Sequence, residues 1–320
     1  MTRLEWWHDL APGFVAPAEL LTSNFTTRIA DQIAVVHLPS VPRFDGMASF
    51  LEPPDIGDVS SGLREEWGQV HSSRSYRGAG VIVDRLAFSA ELAPNDDLRL
   101  RGELIIDAMD SWWNRVRTYL EITTGQSLTP VGHRPTTLLG PTNLMWEVSD
   151  DRSKRTLLTA RSTTRRAPRP VHGINAEIFA HCLAASASEP PLAWSLLRDA
   201  RSLRVDGQYR RAVIDAATAV ELAVTKMLAE CLSAEAEEVR TKQLRLPLGQ
   251  KAEKLEKYGR SLPETLHDDL VSKRNDAAHE GTHISGEECD VAIRVGATVV
   301  ELVFPLPTPP GAGRPLTRLW

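Results

Sequence analysis

The sequence predicts an α+β protein: a mixed, mostly β half over residues 1–170, then an α-helical bundle over 171–305, closed by a Pro- and Gly-rich tail at 306–320. Three observations carry that expectation. Short β-branched and aromatic runs, separated by Pro, Gly, Asn and Asp, fill the first half. From Ile174 onward apolar residues recur at three- and four-residue intervals, the helical period. The chain has 320 residues, 42% of them hydrophobic and 25% charged, so a packed core is expected and disorder along most of the length is excluded. That length exceeds one ordinary domain of roughly 100–200 residues, so two are expected, the first with a sensory or regulatory part.

In order along the chain, strands are expected at 25–29, 33–38, 81–88, 98–106, 145–148 and 156–160. The turn-forming Pro94-Asn95-Asp96-Asp97 predicts a hairpin between two of them. One helix interrupts the strands, because Ile106, Met109, Trp112, Trp113, Val116 and Leu120 follow the helical period. Trp112 and Trp113 are therefore expected to pack on the sheet, and Trp6-Trp7 to dock on this half's surface. The segment 152–170 carries seven cations and ends in Pro, which reads as a solvated strand and linker in preference to a phosphate-binding edge or arm.

The second half reads as successive helices at 175–184, 192–204, 209–231, 248–258 and 263–280, with a last one to about 304. Pro190-Pro191 opens one, Asp206-Gly207 breaks it, and Gly259 and Gly281 are stops. Val213, Ala217, Val220, Val224 and Met227 form one apolar stripe. Ser285-x-x-Glu288 has the form of a capping box at the start of the last helix.

Several function classes are excluded by what the chain lacks. It has no G-x-x-x-x-G-K-[ST] phosphate loop, no G-x-S-x-G elbow, no H-E-x-x-H and no EF-hand spacing. Gly78-Ala79-Gly80 precedes its strand, so it is no dinucleotide fingerprint. Cys182, Cys231 and Cys289 are too dispersed for a disulfide framework or a zinc site, which fits a reducing cytoplasm. No metal and no cofactor is expected. Neither is a membrane span, for no run of about 18 apolar residues exists, and the first residues lack the apolar centre of a secretory leader. A formal charge of −5 gives no global pull on nucleic acid, so contact with it would need a local patch. Arginine outnumbers lysine 30 to 7, a bias that suits phosphate recognition but also follows from GC-rich coding.

One constellation carries chemistry. Ser272-Lys273-Arg274-Asn275-Asp276-Ala277-Ala278-His279-Glu280-Gly281 lies late in the penultimate helix. Asn275 and His279 are four apart and share a face, and the long Arg274 stem can reach back to it. This joins a permanent cation, an amide and an imidazole that titrates near neutrality. Composition alone yields about 0.8 Arg-x4-His pairs in a chain like this one, and Arg3–His8 supplies one without helical context. The setting distinguishes the other: it follows Tyr209-Arg210-Arg211-Ala212-Val213 with Ala219-Val220-Glu221, and precedes a final apolar helix.

That setting, over roughly residues 190–305, resembles the HEPN superfamily of small helical bundles, whose signature is Arg-polar-x3-His. The resemblance implies a metal-independent endoribonuclease acting as a homodimer, of the kind found in toxins and antiviral defence. RNA would supply the 2′-hydroxyl nucleophile, His279 would transfer protons and Arg274 would offset charge on the phosphate. Asn275 would position His279 or bind phosphate, Glu221 would orient the group, and Arg210, Arg211 and Lys273 would hold the RNA chain. The alternative is a non-catalytic bundle for dimerisation or for binding a nucleotide or protein partner, with Arg274 and His279 structural.

Overall fold

The computed structural model describes residues 2–40, 50–54, 56, 67–71, 80–93, 97–126, 128, 143–148, 155–161, 174–280 and 282–306. Its architecture is α+β, an antiparallel sheet followed by a helical region. The sheet is formed by β1 (Thr2–Pro17), β2 (Asn24–Ile29), β3 (Gln32–His37), β4 (Gly68–His71) and β5 (Gly80–Leu92), in the order β1-β5-β3-β2 with β4 also on β5. The long β5 is the spine. β1 runs along one side of it, bulged between Asp9 and Phe14, while β3 and β4 share the other side.

One expected strand is a correction. Residues 98–106 are not a strand but the opening of α1 (Leu98–Thr124). The Asp97 carboxylate accepts the amides of Arg99 and Leu100, both at 3.1 Å, and so caps the helix. Asp97 therefore leads β5 into a helix instead of turning a hairpin, and residues 94–96 lie outside the described set. The Leu-x-Leu pattern imitates strand alternation, but Leu100, Leu104 and Ile106 lie exposed on the helix surface. β1, β4 and a short helix at Glu237–Leu244 are elements that no sequence pattern announced.

Further along, α1 lays one stripe on the sheet: Met109, Trp112, Trp113, Val116 and Leu120 are all buried. Trp112 is 1% exposed, meets Phe88 edge-on at 5.2 Å and donates its indole N–H to Thr27 Oγ1 at 3.0 Å. One tryptophan pair lies as expected and the other does not, for Trp6-Trp7 belong to strand β1 of the sheet instead of docking on its surface. Trp112-Trp113 pack against the sheet, whereas Trp6 stacks on Phe88 on the same face and Trp7 is half exposed on the other. Across Trp7 lies Arg85, its guanidinium between the Trp7 and Trp67 rings and paired with Asp9. A separate antiparallel pair, β6 (Asn143–Val148) and β7 (Arg155–Arg161), takes up part of the basic segment. The rest of that segment is outside the described residues, as is the tail from 307.

The helical half comprises α2 (Ala176–Ala185), α3 (Leu192–Val205), α4 (Tyr209–Cys231), α5 (Glu237–Leu244), α6 (Leu248–Lys257) and a helical stretch from His267 to Glu280 whose central turn is α7 (Lys273–Asn275). The last is α8 (Gly286–Val303). α3, α4 and α8 form the packed centre, and every member of the α4 stripe is buried. Gly296 lets α8 approach closely, for a Cβ there would meet Leu197 Cδ2 at 3.1 Å. Arg204 of α3 grips Asp290 of α8 with two bonds of 2.6 and 2.7 Å.

The two halves share a core. Phe179 of α2 sits between Phe14 and Phe25 of the sheet, ring centres 5.5 and 5.0 Å away. α1 is the common beam. Arg198 of α3 donates to Thr118 at 2.7 Å, and Arg201 covers the α1 carbonyl end, where Gly125 takes a left-handed φ of 75°. Among the described residues no helix is long and apolar enough to cross a membrane.

Candidate functional site

The region with the Arg-Asn-x3-His sequence is built from α4, the stretch His267–Glu280 and the start of α8. Leu270 and Ala277 are fully buried and Val271 nearly so, which fixes the stretch against the bundle and turns its polar side outward. Its winding is unusual. Wide turns with i to i+5 bonding at His267–Ser272 and Asp276–Glu280 flank the single α-turn of α7. Such turns are rare and recur at functional sites. In an α-helix residues 274 and 279 would stand about 140° apart. The wider turn at Asp276–Glu280 advances less per residue and so narrows that separation.

The side chains divide into those the fold brings to this stretch and those it engages elsewhere. Arg274 is half-buried, and its Nη1 donates to the exposed Asn275 Oδ1 at 3.1 Å, so the guanidinium and the amide lie together. His279 belongs to the second wide turn, and its side chain is outside the described set. Arg210 reaches across from the first turn of α4 and donates twice to the Ala277 carbonyl, at 3.1 Å from Nε and 2.6 Å from Nη2. A widened turn displaces its carbonyls from the regular ladder, and a guanidinium is well shaped to satisfy one from outside.

The remaining cations and the acid have partners of their own. Lys273 donates to Glu288 Oε1 at 2.6 Å. Glu288 in turn completes the capping box of α8, accepting the Ser285 amide at 2.9 Å while Ser285 Oγ accepts the Glu288 amide at 3.2 Å. The Lys273 hydrogen bond, followed by the two from Ser285, holds the Glu288 carboxyl down at about 2, and the same bond pushes the Lys273 ammonium up. Glu221 receives the ammonium of Lys251, a buried α6 lysine, at 3.0 Å, and Lys251 also donates to Thr225 at 2.9 Å. Arg211 is exposed and donates to Gln208 Oε1 at 2.7 Å within its own turn.

Sequence reasoning missed two partners here. Glu288 was visible as a capping residue, yet nothing local marked it as the anchor of Lys273, fifteen residues earlier. Lys251 gave no signal, since its burial depends on the packing of α6 against α4. Among the described residues no group of three His, Cys, Asp or Glu side chains is placed to hold a metal ion. Comparison with family models, curated proteins and solved structures finds no match to this chain.

Proposed function

We propose that the protein is a metal-independent endoribonuclease of the HEPN type, acting as a cytoplasmic homodimer in a toxin or antiviral role. The observation that carries this reading is the pairing of Arg274 with Asn275 on a helix whose wide turn at Asp276–Glu280 includes His279. RNA brings its own nucleophile in the 2′-hydroxyl. His279 takes that proton, worth about 10²–10⁴-fold in rate, and the Arg274 guanidinium offsets the charge growing on the phosphorane oxygens. The Arg210 bonds to Ala277 hold the stretch that presents these groups, so Arg210 supports the site through the backbone.

The test is purified protein with total RNA in excess EDTA, read as new 2′,3′-cyclic phosphate ends. The parent generates them, and His279→Ala loses at least 100-fold of the rate with an unchanged melting temperature. Equal cleavage by the two proteins would sink the mechanism. A second reading, a non-catalytic bundle for dimerisation or ligand binding, is favoured by the engagement of Lys273, Glu221 and Arg210 in intramolecular bonds. It predicts no cyclic ends from either protein, and a lower melting temperature for Arg274→Ala.

A further inference from the structure

The outer face of the sheet, turned away from α1, carries a polar chain unrelated to the helical signature. Asn24 stands directly opposite His37 in the β2–β3 register, and Ser89 of β5 stands opposite Val35, one place diagonal to His37. The imidazole bridges them. Its Nδ1 lies 2.8 Å from Asn24 Oδ1 and its Nε2 lies 2.9 Å from Ser89 Oγ. An amide oxygen can only accept, so Nδ1 carries the proton and Nε2 presents its lone pair to the serine hydroxyl. His37 and Ser89 are each 7% exposed, and both line a groove of roughly 650 Å³. That volume is in the range of small-molecule sites.

We propose that Ser89, His37 and Asn24 form a nucleophile, base and orienting residue for the hydrolysis of a small uncharged carboxylic ester. The geometric warrant is a hydroxyl within reach of a base whose other nitrogen is fixed by a third group. Burial, reinforced by the nearby Arg3, lowers the His37 pKa and keeps the ring neutral, as a base requires; Glu5 opposes this more weakly. The groove wall includes Arg3 and Arg28 with Asp31 and Glu91, a set neutral in sum, so it offers a polyanion such as RNA no net attraction. Ile33 and Val35 add an apolar stretch suited to an acyl chain.

The step balances with water as the only co-reactant. Ser89 Oγ bonds the ester carbon as its proton passes to His37 Nε2, and Arg3 of the groove wall, paired with Glu5 at 2.9 Å, supplies the cation that stabilises the oxyanion. The carbon–oxygen bond to the leaving alcohol breaks, and that oxygen takes the proton from Nε2. Water then gives a proton to Nε2 and its oxygen to the acyl carbon, and Oγ departs and recovers the proton.

The experiment uses the full chain with a fluorophosphonate probe, in which Oγ replaces fluoride at phosphorus, and with p-nitrophenyl butyrate. Peptide mapping of the folded parent is expected to place a single adduct on Ser89, and heat-denatured protein to carry none. His37→Ala slows labelling at least 100-fold. Asn24→Ala slows it about tenfold, while Asn24→Asp, which still accepts from Nδ1, restores it. Absence of an adduct on Ser89 in the folded parent, or butyrate hydrolysis undiminished in Ser89→Ala, overturns the proposal. Neither result depends on whether the protein cleaves RNA.

Discussion

Two polar clusters in this molecule are held in opposite ways. Arg274 and Asn275 are neighbours in sequence, lie on the outside of a helix and touch each other within one turn. Asn24, His37 and Ser89 are separated by 13 and 52 residues, and His37 and Ser89 are buried; strand register alone brings the three together. The first arrangement sets a half-buried cation beside an exposed amide on one side of a helix, where a large, charged substrate could meet both. The second fixes each heavy atom through two neighbouring strands, which suits chemistry that needs a nucleophile and a base in one geometry. An exposed helix surface thus favours reach, and a sheet favours alignment.

The largest effect expected on this contrast is at Arg274. Arg274→Ala should lower RNA cleavage by 100-fold or more, the cost of losing a charge-stabilising donor, and urea unfolding should change by less than about 1 kcal/mol because the residue is only half-buried. A large stability loss with cleavage retained would reverse the contrast and make the exposed cluster structural.

Trp112→Ala tests the platform under the sheet cluster. Removing a fully buried indole should cost about 3–5 kcal/mol, read by denaturant unfolding, and it also strands the Thr27 hydroxyl. Since the two halves share a core around Phe179, the helical half is expected to unfold in the same transition. Two separated transitions would show that the clusters belong to independently stable units. Gly125→Ala should cost about 1 kcal/mol, for the residue holds a left-handed φ of 75°. Its Cβ would also displace the Arg201 tip, which lies 2.1 Å from that position.

The smallest effect concerns acid. The Glu288 carboxyl is held at about 2, below its ordinary 4.5, so its ionised form is favoured by folding. Its contribution is complete above pH 4.5 and declines as pH falls from there toward 2. Glu288→Gln should therefore flatten the thermal midpoint across that window and leave the pH 6–8 region with only a modest constant offset. A parallel shift of the whole curve would mean that the Lys273 pair is not what holds the proton off.

How much could be read beforehand follows the same division. Tyr209–Cys231 was legible to the residue, as was the Ser285-x-x-Glu288 cap, because helical period and capping chemistry act within a few residues. The opening of α1 was misread because Leu100, Leu104 and Ile106 are exposed, so their spacing reports no buried face. β1 went unseen since its partner, β5, begins more than sixty residues later and its Trp-Trp and Pro-Gly steps blur the alternation. In the candidate site, Arg274 with Asn275 was legible as a neighbouring pair. The engagement of Glu221 by Lys251 and of Arg210 by the Ala277 carbonyl was not.

Local order, then, is written in the chain: which segments wind, where most of them stop, and that an arginine, an asparagine and a histidine share the end of one helix. Tertiary packing decided the remainder. It widened the turns around α7, paired Lys273 with Glu288 and set His37 between Asn24 and Ser89. The physical reason is range. Helical bonds close over four or five residues, whereas burial and cross-strand pairing are settled by groups tens of residues apart that meet only after the chain has collapsed.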